Sequence, residues 1–178
     1  MKWFVASDIH GSSYYCKRLL EAFEREKADR ILLLGDLLYH GPRNELPKEY
    51  DPKSVYDMLN AYKESIVAVR GNCDCEVDQM VLEFPILADY AVISVGEKTI
   101  YATHGHVYNN ENPLPFLKGA YLLAGHTHVP RNVKVGDYTY LNPGSVSIPK
   151  ENSHHGYIII TESEITFKDL DGTVMNIN

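Results

Sequence analysis

Six times along this chain a short apolar run stops at a residue able to bind a metal ion. Trp3-Phe4-Val5-Ala6 leads into Ser7-Asp8-Ile9-His10, Leu32-Leu33-Leu34 into Gly35-Asp36, and the run ending at Val69 into Arg70-Gly71-Asn72. The pattern recurs at His104-Gly105, at Gly125-His126-Thr127-His128 and at Asn142-Pro143-Gly144-Ser145. Apolar runs this short, bounded by glycine, proline and asparagine, read as buried strands rather than helices. Few folds satisfy all six at once. The strand ends must gather along one rim of a sheet, the place where α/β proteins carry their chemistry.

At 178 residues the chain can bury one core, so a single domain over residues 1–178 is the expectation. No apolar run approaches the roughly 18 residues of a membrane helix. The N-terminal run reaches polar Ser7-Asp8 too soon for a signal peptide, so neither leader nor anchor is expected. A formal charge of −7 argues against an extended nucleic-acid surface, and leaves room for a small anionic substrate received by local cations. The three cysteines are an odd number, and Cys73-Asp74-Cys75 is too tight for an ordinary disulfide. A reducing cytoplasm is the simplest setting.

Residues 2–6, 31–34 and 66–69 read as strands that alternate with helices over 13–27 and 53–62. The second half changes character. Strands at 90–95 and 99–102 flank Gly96, a buried strand lies at 121–124, and strands at 132–135 and 138–141 flank the hairpin signal Gly136-Asp137. The tail reads as strands at 157–161, 164–168 and near 173–177. Such an order suggests two sheets packed face to face with helices outside.

In an extended segment Asp8 and His10 point the same way and can give one ion an oxygen and an imidazole. Asp36 has two carboxylate oxygens with which to bridge a pair of ions, and His126 and His128 can serve one ion each. Asn72 adds an amide oxygen and His104 a further imidazole. Each motif alone reads as a turn or a solvated loop. Together, at successive strand ends, they read as one site. Mixed nitrogen and oxygen donors without a thiolate suit Mn2+, Fe2+ or Zn2+ better than Ca2+ or Cu+. Two ions about 3.5–4 Å apart would hold a hydroxide between them and neutralise a transferring phosphoryl group.

In this order the motifs resemble those of the calcineurin-like metallophosphoesterase superfamily. Ser7-Asp8-Ile9-His10-Gly11, His40-Gly41-Pro42-Arg43-Asn44, Val69-Arg70-Gly71-Asn72-Cys73-Asp74 and the segment 142–150 are similar to its small bacterial phosphodiesterases. The resemblance implies a four-layer α/β/β/α sandwich of two mixed sheets with flanking helices, the metallo-dependent phosphatase fold. It also implies one ion on Asp8, His10, Asp36 and His128 and another on Asp36, Asn72, His104 and His126, with Asp36 bridging. The implied metal is Mn2+, with Fe2+, Zn2+ and Ni2+ as alternatives, and the implied reaction is phosphodiester hydrolysis by a metal-bridging hydroxide. One residue departs from the pattern. Where much of the superfamily has a histidine able to protonate the leaving group, this chain has Cys73, a poorer donor, which favours leaving groups that depart unprotonated.

Around this core, Arg43 is a candidate to grip phosphoryl oxygens, with a salt bridge to Glu45 as the alternative, and Asp74 a candidate to orient a ligand or the attacking water. Asn142 and Ser145 are expected to shape the loop beneath the metals, His106 and His40 to face substrate or sit in loops, and His154-His155 to form a solvated turn. Tyr39, Tyr50 or Tyr108 could stack on an aromatic group, and exposed tyrosines would suit a homodimer or higher homo-oligomer. Two other functions compete with a small-substrate phosphodiesterase. One is a phosphomonoesterase, including a protein phosphatase, on the same site. The other is a protein-binding scaffold like the Vps29 subunit of retromer, which lacks part of the histidine set present here as His10, His104, His126 and His128.

Overall fold

β1 (Trp3–Ala6) is buried along its whole length because both its faces are covered. Phe4 and Ala6 lie in one apolar cluster with helical residues, and Trp3 and Val5 lie in another with a second sheet. The structure, a computed structural model, describes residues 1–115 and 117–177. β2 (Arg30–Leu33) and β3 (Ile66–Ala68) continue the sheet parallel to β1. β9 (Gly156–Ile160) pairs with the other edge of β1 in antiparallel register, and β10 (Ile165–Asp169) follows it as a hairpin.

Five more strands form the second sheet: β4 (Tyr90–Val95), β5 (Lys98–Thr103), β6 (Tyr121–Leu123), β7 (Arg131–Val135) and β8 (Tyr138–Asn142), in the order β4-β5-β6-β8-β7. β5, β6 and β8 are parallel, and β4 and β7 are antiparallel edges. Period-two alternation then sorts the side chains. Leu32, Leu34, Ile158 and Ile160 of the first sheet meet Ile100, Ala102, Leu123 and Leu141 of the second.

Two helices cover the outer face of the first sheet. α1 (Ser13–Glu26) starts where the Ser12 hydroxyl accepts the Tyr15 N–H and ends at Lys27 in a left-handed conformation. Cys16, Leu19, Leu20 and Phe23 recur at helical spacing, and each large apolar side chain so buried contributes about 1.5–3 kcal/mol. α2 (Pro52–Asn60) is capped by Asp51, which accepts the Ser54 N–H, with proline in its first turn. Over the outer face of the second sheet there is no helix among the described residues. Leu114 and Leu117, from the loop between β5 and β6, cover Leu122, Tyr138 and Tyr140 instead.

Two details differ from the sequence reading. Glu76–Gln79 form a one-turn helix, α3, held by a hydrogen bond from the Cys75 N–H to the Asp78 carboxylate. Among the described residues, the tail beyond residue 172 does not form the expected last strand and makes one isolated bridge, Lys168 to Val174. Its lead-in is taken up by a turn in which the Asp169 carboxylate accepts the N–H groups of Asp171 and Thr173. The topology places the site: the carboxyl ends of β1, β2 and β3 in one sheet and of β5, β6 and β8 in the other reach the same rim.

Candidate metal centre

Past each of these strand ends the backbone bends sharply. Asp8, His10, Asp36, His126 and His128 all have positive φ, between 50° and 66°. A non-glycine residue in that region costs about 1–2 kcal/mol, so the surrounding bonds must impose it. The His10 N–H donates to the Asp36 carbonyl (2.9 Å) and the Gly125 N–H to the His104 carbonyl (2.7 Å). The Asp74 carboxylate accepts the N–H groups of Asp36, Leu37 and Gly71 at 2.7–2.9 Å, clamping the ends of β2 and β3 together. Two glycines make the close approach sterically feasible. A Cβ on Gly71 would lie 2.1 Å from Asp36 Oδ1, and one on Gly125 would lie 1.9 Å from Ser7 Oγ.

The side chains converge in two groups. In the first, Asp8 Oδ1 lies 3.2 Å from His128 Nε2 and 3.5 Å from His10 Nε2. In the second, His104 Nε2 is 3.0 Å from Asn72 Oδ1, 3.2 Å from His126 Nδ1 and 3.5 Å from Asp36 Oδ2. Asp36 stands between them, its Oδ2 also 3.7 Å from His10 Nε2 and its Oδ1 accepting the Cys73 N–H at 2.8 Å. The far nitrogens are engaged: Nδ1 of His10, His104 and His128 bond the carbonyls of Tyr39, Leu34 and Ile148 at 2.6–2.8 Å. Carbonyls only accept, so each Nδ1 carries the proton, and each ring, when neutral, turns its Nε2 lone pair to the centre.

Charge follows the same geometry. Burial would raise Asp8, but contacts with His10 and His128 and the His104 charge hold its carboxyl well below the usual range. Asp36 is also lowered: burial opposes the shift, and His104 drives it. Burial would lower His104, yet its contact with Asp36 and the charges of Asp8 and Asp36 raise it to about 9. Burial and then the Asp36 charge push the Cys73 thiol up to about 12, and burial pushes Asp74 up to about 6. His106 and His126 are lowered, first by burial and then by His104.

A cation fits this nest. Asp8 Oδ1 is buried without a hydrogen-bond donor, and imidazole lone pairs meet around it. Asp8, His10 and His128 form one group able to hold a divalent ion, and Asp8, Asp36 and His104 another.

A cavity of about 420 Å3 opens onto the nest. Arg43 and Cys73 line it, along with Thr127 and Lys150, which the sequence reading did not assign to the site. Neither Arg43 nor Lys150 has an ion-pair partner among the described residues, and Arg43 does not pair with Glu45. Lys150 ends the segment 142–150, which carries part of the resemblance to the small bacterial phosphodiesterases. What brings it to the metals is a fold-back in which its N–H donates to the His128 carbonyl at 3.1 Å. Asp74 does not line the cavity, its oxygens being engaged with backbone. Asn142 and Ser145 brace the loops, donating to the Gly125 and Asp8 carbonyls at 2.7 and 2.8 Å. Tyr39, Tyr50, Tyr108, His40 and His106 lie outside the cavity wall. His155 is no solvated turn: its ring stacks on Tyr15 at 4.0 Å and its Nδ1 bonds the Val146 carbonyl.

An α/β sandwich with its cation-accepting nest on the rim shared by two mixed sheets is the metallo-dependent phosphatase arrangement. Within that class the chain belongs to the calcineurin-like phosphoesterase superfamily, whose domain model matches residues 1–164. It is 45% identical over 157 residues to phosphodiesterase YfcE of Escherichia coli K12, an alignment spanning 88% of this chain and 85% of that protein. A structure of the E. coli YfcE phosphoesterase superimposes with a TM-score of 0.95 at 41% identity, covering 99% of this chain and 97% of that one. Vps29 from Entamoeba histolytica, solved with zinc, shares the fold at a TM-score of 0.59 and 23% identity, covering 98% of this chain and 96% of its own.

Proposed function

We propose that the protein is a metal-dependent phosphodiesterase acting on small diesters, with two divalent cations, Mn2+ first among them, held by Asp8, His10, Asp36, Asn72, His104, His126 and His128. The observation that carries this reading is the convergence of carboxylate and imidazole donors in two adjoining groups, Asp8, His10 and His128 and Asp8, Asp36 and His104, with Asp36 within 3.7 Å of a histidine from each. The 45% identity to phosphodiesterase YfcE supports the choice of a diester. When bound, such cations supply a water-derived nucleophile near neutral pH and neutralise charge on the phosphoryl oxygens.

The chain's own residues supply the rest. Arg43 and Lys150, at the cavity wall with no ion-pair partner among the described residues, draw in a monoanionic phosphodiester, and the planar guanidinium can take two of its oxygens. The carbonyls behind His10, His104 and His128 fix those rings, and Asp74 holds the backbone of Asp36. Cys73 lines the cavity where much of the superfamily has a histidine, and as a thiol it would offer the departing oxygen only a weak proton donor. Aryl oxygens, which leave as stable anions, are therefore the preferred leaving groups. A non-catalytic scaffold has less support: the Vps29 likeness is one of fold, whereas the donor set here is complete. The three free thiols suit the cytoplasm we propose for it, and no helix among the described residues is long and apolar enough to cross a membrane.

Purified protein with Mn2+ should hydrolyse bis(p-nitrophenyl) phosphate, and Asp36→Asn should lose at least about a thousandfold in kcat. Full activity in that variant removes the assignment.

A further inference from the structure

The metal cavity does not end at its own wall. Thr127 and Lys150 line it on one side and line a second cavity, of about 460 Å3, on the other. The two spaces are neighbours across that ridge, and their walls differ in chemistry. Around the metals the wall carries the imidazoles, Asp36 and the cation Arg43. The second cavity sets the apolar side chains of Val129 and Val133 beside the guanidinium of Arg131 and the amide of Asn110. That guanidinium is tethered, bonding the Glu151 carboxylate at 3.1 Å and the Pro130 carbonyl at 3.3 Å.

On the reading of the site as a phosphodiesterase, every substrate carries two organic groups on phosphorus. One leaves, and the other stays on the phosphate and needs room. We propose that the second cavity receives the retained group and that this group is a nucleoside. A tethered guanidinium is a flat, weakly hydrated surface on which a planar ring stacks, the valines contact the ring's apolar atoms, and the amide answers a donor and acceptor edge. Arg131 is already neutralised by Glu151, so the cavity suits an uncharged base rather than a charged headgroup. Its volume falls within the range of small-molecule sites. Lys150, on the ridge, is placed to hold the phosphate between the two spaces.

The test compares p-nitrophenyl esters of thymidine monophosphate and of methyl phosphate on the full chain with Mn2+. In both, a water oxygen bonds to phosphorus as the bond to p-nitrophenolate breaks, so the leaving group is constant. The thymidine ester should have a kcat/KM at least about tenfold higher. Val133→Trp, on an edge strand that accepts large β-formers, should fill the cavity and bring the ratio close to one, and Asn110→Leu should lower it. The ratio cancels any general loss of folded protein. Equal constants for the two esters in the unaltered protein, or an unchanged ratio in both variants, overturn the subsite. If neither ester is hydrolysed, the phosphodiesterase reading fails, and saturation-transfer NMR with thymidine monophosphate on metal-free protein decides the subsite separately. Base protons should take up saturation with the unaltered chain and not with Val133→Trp, and equal transfer in both overturns it.

Discussion

His10 Nε2 and His128 Nε2 lie 3.2 Å apart although 118 residues separate them in sequence. Each ring gives its Nδ1 proton to a carbonyl, so in the neutral state two lone pairs face each other beside the Asp8 carboxylate. Only a cation in the gap, a proton or a metal ion, makes that contact favourable. Mn2+ should therefore stabilise the protein: at a hundredfold excess over Kd the gain is about 2.7 kcal/mol, read as a rise in Tm that a chelator reverses. His128→Ala should lose most of the rise.

Gly125→Ala is expected to act on the same centre without replacing a metal-binding residue. The new methyl would lie 1.9 Å from Ser7 Oγ and 2.8 Å from Asp8 Oδ2, against side chains packed in the interior. Asp8 must move. A Tm loss equivalent to about 1–3 kcal/mol, together with a weaker Mn2+ affinity by calorimetry, is the predicted outcome, and native metal affinity would contradict it.

Asp74→Leu should leave three main-chain N–H groups without their carboxylate. Each buried donor so orphaned costs about 1–3 kcal/mol. Urea denaturation should show a loss of several kcal/mol or failure to fold, whereas a carboxylate facing only solvent would cost almost nothing.

Far from the metals, Glu26 at the end of α1 binds Lys168 (2.7 Å), Lys2 (3.0 Å) and the Tyr157 hydroxyl (2.9 Å). Burial would raise its carboxyl, and these three partners instead hold it at about 2, against an ordinary 4.5. Because the folded value is the lower one, the stabilisation is present above pH 4.5 and is lost as pH falls toward 2. It amounts to roughly 3 kcal/mol at neutral pH. Glu26→Gln should be less stable than the unaltered chain near neutrality, with the difference closing through that acid window in thermal melts.

Cys73→His places an imidazole at the cavity wall in place of a thiol. Hydrolysis of alkyl diesters, whose leaving oxygen needs a proton, should rise by about tenfold or more. Aryl diesters should change little. Equal effects on both would show that residue 73 does not reach the departing oxygen.

The convergence of donors was legible because of strand periodicity. Residues just past the ends of parallel strands share a rim whatever the loops do, so Asp8, Asp36, His104 and His128 could be assembled from apolar runs and the residues that stop them. The hairpins at Gly96 and Gly136 announced themselves through turn chemistry. What could not be read depends on contacts without a local signature. Nothing around Asp74 distinguishes a carboxylate that clamps three N–H groups from one in water, and nothing in Leu114 or Leu117 says that they roof a sheet. α3 has four residues, too few for a helical period to register. Lys150 reaches the metals only because the segment after Asn142 folds back on His128.

The left-handed conformations of His126 and His128 have a consequence for what can replace them. Glycine at either position would remove an imidazole and, in the same change, relieve the main chain by about 1–2 kcal/mol. Against that relief stand the buried ring of His128 and its bond to the Ile148 carbonyl, so the strained turns at this rim are held in place by the same imidazoles that need them.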